Sequence, residues 1–130
     1  MAKTRKVLLV DDDADILSAM KALFERRGYR VFTAADGNMG LALAERESPE
    51  LVVVDMMMPK KSGFLVLEKL KGRRGASPRV IMITANEGGR HRAYAQMLGA
   101  DDYIRKPFEM ATLLDAAQRL CPLPDVPQPG

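Results

Sequence analysis

Cysteine occurs once in the 130 residues, at Cys121, so no disulfide can form within the chain. A reducing cytoplasm is therefore the expected setting. Histidine also occurs once: His91 sits between Arg90 and Arg92 and reads as an exposed side chain, not a phosphodonor site. No apolar stretch approaches the roughly 18 residues that a membrane-crossing helix needs. The basic N-terminal segment is followed by only Val7, Leu8, Leu9 and Val10, too short an apolar run for a signal peptide. A large excess of one charge is missing too. The net charge is +3, and the basic residues are interspersed with acids on helix-like segments, which reads as a solvated surface and weak ground for a nucleic-acid partner. Charged residues are 28% and hydrophobic ones 47%, which excludes a disordered chain as well as a membrane protein. The length suits one domain with a true core. No internal repeat is visible.

What is present is a set of short apolar runs that stop at polar residues. Leu51, Val52, Val53 and Val54 end at Asp55; Val7 to Val10 end at Asp11, Asp12 and Asp13; Val80, Ile81, Met82 and Ile83 end at Thr84. Runs this short, and β-branched at so many positions, read as strands buried on both faces. Two more candidates, residues 30–33 and 103–105, are shorter or mixed in polarity. Pro59 bars a normal continuation of the third strand.

Helical patterns fill the intervals. Ile16, Leu17, Met20, Leu23 and Phe24 have helical spacing, and Gly28 suits the stop. Asp36-Gly37 marks a turn, residues 38–47 are helix-like, and Ser48-Pro49 breaks them. Ser62-Gly63 opens a helix carrying Phe64, Leu67 and Leu70; a weakly amphipathic helix runs through Leu98 to Gly99; and Met110, Leu113, Leu114, Ala117 and Leu120 make the last apolar face. Residues 121–130 contain four prolines in ten and read as a tail or linker after a domain of residues 1–120.

The order is β-α five times over, which implies a parallel sheet with helices on both faces. The three wholly apolar strands should be interior and the strands of Val31 and Ile104 the edges, which fits the doubly wound order 2-1-3-4-5. In such a sheet the carboxyl ends of the strands share one rim. Asp11, Asp12, Asp55, Thr84 and Lys106 all fall there, and Asp11, Asp12 and Asp55 come from neighbouring strands. Two unit charges 4 Å apart repel by about 1 kcal/mol in water, and by several times that near a protein surface. Three crowded carboxylates therefore call for a cation, and an all-oxygen set favours a hard ion such as Mg²⁺. Lys106 is a point cation suited to a phosphoryl oxygen, and Thr84 adds a hydroxyl. A carboxylate nucleophile, a divalent metal, a lysine and a hydroxyl around one spot describe phosphoryl transfer to an aspartate. Asp13 is placed at a helix N-terminus, where its charge suits the dipole, and not among the ligands.

Four motifs in this order and spacing resemble the response-regulator receiver domains of two-component signalling: Val-Asp-Asp at the end of the first strand, Val-Asp-Met-Met-Met-Pro at residues 54–59, Ile-Thr-Ala at 83–85, and Gly-Ala-Asp-Asp-Tyr-Ile-Arg-Lys-Pro-Phe at 99–108. The resemblance spans roughly residues 6–120. It implies a flavodoxin-like α/β sandwich of five βα units, like that of the chemotaxis regulator. It implies Asp55 as phosphoacceptor; Mg²⁺ or Mn²⁺ held by Asp11, Asp12, Asp55 and the backbone carbonyl of Met57; and Lys106 paired first with Asp55 and then with the phosphoryl group. Thr84 and Tyr103 would be the switch, altering the last two helices and last strand. The Lys106-Pro107 bond would be cis. Met57 and Asn86 stand where the family tunes the phosphoryl lifetime, and Lys61 departs from the apolar residue usual at its position.

The implied partners are a histidine kinase or phosphotransfer protein as donor and a downstream protein target, with no membrane and no nucleic acid contacted by this domain. The chain would be a monomer or a weak phosphorylation-dependent dimer. It would be no enzyme in the ordinary sense, catalysing only its own phosphorylation and dephosphorylation. The alternatives are a receiver fragment of a longer transcription factor or hybrid kinase, an FMN-binding flavodoxin-type carrier, and an aspartate-nucleophile phosphatase. The flavin reading needs a phosphate-cradling loop where three aspartates stand. The phosphatase reading lacks an acid two residues after Asp55. Met56, Met57 and Met58 are expected to pack locally, and Cys121 to be inert.

Overall fold

The computed structural model describes residues 5–58, 61–72, 77–85 and 89–123. Five strands form one parallel sheet: β1 (Lys6–Val10), β2 (Arg30–Ala34), β3 (Leu51–Asp55), β4 (Arg79–Thr84) and β5 (Asp102–Arg105). Their order is β2-β1-β3-β4-β5, with the two mixed-polarity strands outermost. Five helices alternate with them: α1 (Ala14–Arg26), α2 (Gly37–Glu47), α3 (Gly63–Lys71), α4 (Gly89–Met97) and α5 (Met110–Leu120). This is the flavodoxin-like doubly wound sandwich that the apolar runs anticipate.

The alternation of side chains along a strand explains why the interior runs are apolar throughout. Val7, Leu9, Leu51, Val53, Ile81 and Ile83 face one layer, packed with Met20 and Phe24 of α1 and Leu113 and Ala117 of α5. Leu8, Val10, Val52, Val54, Val80 and Met82 face the other, against Ala44, Val66, Leu67, Leu70 and Ala95. Each fully buried aliphatic side chain contributes about 1.5–3 kcal/mol. The register pairs Val7 with Leu51, Val53 with Ile81 and Thr84 with Arg105, so the strand ends carrying the polar residues lie on one rim.

Local chemistry starts the helices. Asp13 caps α1 by accepting from the backbone N–H groups of Asp15 and Ile16 (3.0 and 3.2 Å), Asp36 caps α2 through Met39 N–H (2.8 Å), and Ser62 Oγ caps α3 through Leu65 N–H (3.4 Å). After α1 the chain turns through Gly28 at φ 101°, in the left-handed region that favours glycine. Only Ala95 of α4 is buried, which is why its apolar pattern was weak.

Three expectations need correction. Packing does not stop at Leu120: Cys121 is buried, its carbonyl accepts from Tyr29 Oη at 2.7 Å, and Leu123 lies against the core. Residues 124–130, and with them most of the proline-rich segment, lie outside the described residues. His91 is half-buried, not exposed, because its ring stacks on Phe64 with centroids 6.0 Å apart. The three methionines also diverge. Met56 is buried and Met58 packs beside it, but Met57 is 61% exposed. Among the described residues no helix is long and apolar enough to cross a membrane.

Candidate functional site

The site is built where β1 and β3 end side by side. β3 runs one residue further than the apolar run, so Asp55, expected just past the strand, is its last residue, and it is buried. Pairing with β4 continues one step further, since Met56 N–H donates to Ile83 O at 2.7 Å. The chain then folds back so that Met57 N–H donates to Asp55 Oδ1 at 3.0 Å. Gly63 N–H donates to Met56 O at 2.9 Å, which seats the start of α3 on this bend. A Cβ at Gly63 would stand 2.3 Å from the carbonyl oxygen of Asp55 and 2.7 Å from Met56 Cα, so no side chain fits there.

Asp11 follows β1 directly. Its N–H donates to Ala34 O (3.1 Å), and its Oδ1 accepts from Asp13 N–H (2.8 Å). Its Oδ2 is buried without a partner in hydrogen-bonding geometry, facing Lys106 Nζ as an ion pair at 3.3 Å. Lys106 comes from the opposite side of the rim, just past β5, and its N–H donates to Thr84 O at 2.6 Å. Its Nζ reaches Asp55 Oδ2 at 3.1 Å, so one ammonium bridges two acids. The Lys106-Pro107 peptide is cis. Asp12 is exposed beside them, and one carboxylate oxygen from each of Asp11, Asp12 and Asp55 lies within 4.8 Å of the others.

The electrostatics follow from this count. Burial raises the Asp55 carboxyl above its ordinary 3.8; the Met57 N–H opposes this, the neighbouring Asp11 charge adds to it, and Lys106 pulls back. Burial also pulls the Lys106 ammonium down, but Asp55 and Asp11 outweigh it and leave it raised. Three acids thus meet one lysine. A hard divalent cation fits this set: the ligands are all oxygen, they share one small volume, and Asp11 Oδ2 is a buried acceptor that makes no hydrogen bond.

Thr84 ends β4, fully buried, on the same rim. Tyr103 lies one strand over, paired in register with Met82, with its hydroxyl 3.8 Å from Met56 Sδ and the Arg92 guanidinium 6.0 Å from its ring centre. Met57 has its backbone against Asp55 and its side chain in solvent. Asn86 and Pro59 lie outside the described residues. The sequence marks Gly63 only as part of a helix start. Nothing local marks its closeness to Asp55; a glycine opening an otherwise apolar helix was the sole hint.

Comparison with known proteins agrees with this geometry. The family described as response regulator receiver domain matches residues 7–118. The alkaline phosphatase synthesis transcriptional regulatory protein PhoP of Bacillus subtilis is 40% identical over 104 residues, covering 80% of this chain and 43% of that protein. The transcriptional regulatory protein CpxR of Escherichia coli K12 is 44% identical over 103 residues, covering 79% and 43%. The chain therefore spans less than half the length of these curated relatives. Among solved structures, the CheY-like receiver domain protein of Methanospirillum hungatei superposes with a TM-score of 0.83 at 35% identity, covering 90% of this chain and 93% of that one. The receiver domain of the Francisella response regulator 1452 gives 0.83 at 31%, covering 90% and 96%. With the match running from β1 to the last turn of α5 and enclosing the whole acidic rim, this chain belongs to the response regulator receiver domains of two-component systems.

Proposed function

We propose that Asp55 accepts a phosphoryl group from a phosphohistidine on a histidine kinase or phosphotransfer protein. The observation that carries this is the Lys106 ammonium held 3.1 Å from Asp55 and 3.3 Å from Asp11 beside an uncompensated acidic cluster. In the step proposed, an Asp55 carboxylate oxygen attacks phosphorus, the P–N bond to the donor imidazole breaks, and that nitrogen keeps the electron pair and takes a proton. Asp11, Asp12, Asp55 and the Met57 carbonyl would hold Mg²⁺ or Mn²⁺, which supplies neutralisation of the phosphoryl oxygens. Lys106 Nζ moves from the carboxylate to a phosphoryl oxygen, a charge-assisted hydrogen bond of the stronger kind. Hydrolysis by water returns the carboxylate, so no separate substrate is turned over.

The signal follows from differential contact. A phosphoryl group adds charge and strong acceptor oxygens at one point. Thr84 meets a stronger acceptor there, and its shift leaves room for Tyr103 to move behind it. The surface of α4, β5 and α5 then changes, and a downstream protein reads it. The phosphoryl group biases states already available, by as much as its contacts differ between them. Met57, apolar and exposed, cannot orient a hydrolytic water, whereas Asn86 at the other lifetime-tuning position offers an amide. The setting proposed is the cytoplasm.

The test is Mg²⁺-dependent labelling with acetyl phosphate. Wild type should gain the mass of one phosphoryl group and Asp55→Asn none; labelling that persists in Asp55→Asn overturns the assignment. Tyr103→Ala should still be labelled but lose phosphorylation-dependent affinity for its target.

A second reading is favoured by one observation: the relatives are transcriptional regulators more than twice as long as the matched stretch. On it, the chain is the receiver portion of a longer transcription factor, and phosphorylation of Asp55 controls what is joined to it. The native reading frame decides between the two.

A further inference from the structure

The opposite rim, at the amino ends of the strands, carries a cleft of about 530 Å³ on which the reaction makes no demand. It lies between the α2–β3 turn, the start of β4 and the end of α5. Its polar lining comprises Arg5, Ser48, Glu50, Ser77, Arg79 and Cys121. Pro49 and Pro78, both buried, and half-buried Leu120 give it an apolar part.

Its donors exceed its acceptors. Arg5 Nε is buried with no hydrogen-bond partner, an unusual state for a guanidinium nitrogen. Arg5 lines the cleft together with Cys121, whose carbonyl accepts from the Tyr29 hydroxyl. Arg79 has one nitrogen 3.3 Å from Asp101, and its side chain is 59% exposed, with further N–H groups to offer. Among the described residues Glu50 is the single acid in the lining, and it already accepts from Lys6 N–H. Counted with the ion-pair network of Arg79, the cations Arg5, Lys71 and Arg79 stand against Glu50 and Asp101, one cation in excess.

We infer that this cleft binds a small organic anion, a carboxylate or phosphate head on an apolar body, with the head between Arg5 and Arg79 and the body on the proline-lined part. A planar guanidinium pairs well with either head. Serine hydroxyls at Ser48 and Ser77 offer neutral donors to the remaining oxygens. A cation would meet two guanidiniums here, and a neutral ligand would leave their charge unanswered.

The inference stands apart from the chemistry of Asp55, and the test separates the two. Isotope-labelled protein without Mg²⁺ is titrated with benzoate, phenyl phosphate and, as the uncharged counterpart, benzamide, following backbone amide resonances. Saturable shifts at Ser48, Glu50, Ser77 and Arg79 are expected with either anion, with benzamide weaker by at least about tenfold, the worth of one lost charged hydrogen bond. Arg5→Gln should weaken the anions similarly while leaving acetyl phosphate labelling of Asp55 unchanged. Should Arg5→Gln fail to fold, Arg79→Gln provides the same comparison. Absence of saturable shifts, equal binding of benzamide, or shifts confined to Asp11, Asp12 and Asp55 would overturn the inference.

Discussion

The two rims of the sheet use the same residue types to opposite ends. At the amino rim, Asp101 accepts from Lys71 Nζ (2.8 Å), Val80 N–H (2.8 Å) and Arg79 (3.3 Å). Burial alone would raise its carboxyl; these partners outweigh burial and leave it lowered from 3.8. At the carboxyl rim, Asp55 has one backbone donor and a lysine that it shares with Asp11, and it ends up raised. One acid with two cations closes a corner of the fold. Three acids with one cation leave a place for something to bind. The lesson is that an acid whose donors outweigh its burial holds the fold together, whereas acids that outnumber their donors mark the reactive site.

The comparison breaks most completely at Gly63. In Gly63→Ala the added carbon meets backbone of Asp55 and Met56, which cannot swing aside. Overpacking of this kind costs about 1–3 kcal/mol. Denaturant melts should show that loss, and acetyl phosphate labelling should slow together with it, whereas Gly89→Ala, where nothing stands within 4 Å, should do neither. Asp101→Ala comes next. It leaves a half-buried Lys71 with only the Pro78 carbonyl and takes the acceptor from the Val80 N–H, and should cost about 2 kcal/mol with labelling at Asp55 unaffected. Full stability in that variant would mean that the closed corner is decorative.

The carboxyl rim should respond with the other sign. Asp12→Asn removes one of three crowded charges and should raise stability without metal by about 0.5 kcal/mol. Added Mg²⁺ should stabilise wild type by about 2.7 kcal/mol at a hundredfold excess over its dissociation constant, and Asp12→Asn much less at the same concentration. A fall in metal-free stability on Asp12→Asn would contradict the repulsion argument.

The smallest effect is in pH, again of opposite sign at the two rims. Asp101 is lowered in the folded state, so its contribution is complete above the ordinary carboxylate value and fades as pH falls through the lowered one. Asp55 is raised, so the folded state holds its proton longer than the unfolded state does. Without metal, stability declines as pH rises from 3.8 through the raised value. Unfolding free energies of wild type, Asp101→Asn and Asp55→Asn across acid pH should therefore separate in opposite directions.

Much of this was legible in the chain. Runs such as Leu51 to Val54 are apolar at every position because both faces of β3 are covered, and that separated the interior strands from the edges, a division the doubly wound order fits. Asp11, Asp12, Asp55, Thr84 and Lys106 could be brought to one rim because each stands where a run ends. Local pattern could not show the Tyr29–Cys121 hydrogen bond, which joins residues 92 apart, or the stacking that half-buries His91. The contact of Gly63 with Asp55 was hidden for the same reason: it depends on how α3 meets the strand, not on spacing along either.

The alternation of β3 has a last consequence. Leu51 and Val53 belong to the α1–α5 layer, Val52 and Val54 to the other, and Asp55 shares the parity of the first pair. Inserting a single residue in this strand would exchange the two layers and turn the carboxylate to the far side of the sheet. The acid's address on the rim is thus quantised: it cannot drift by one step, only be kept or lost together with the core beneath it.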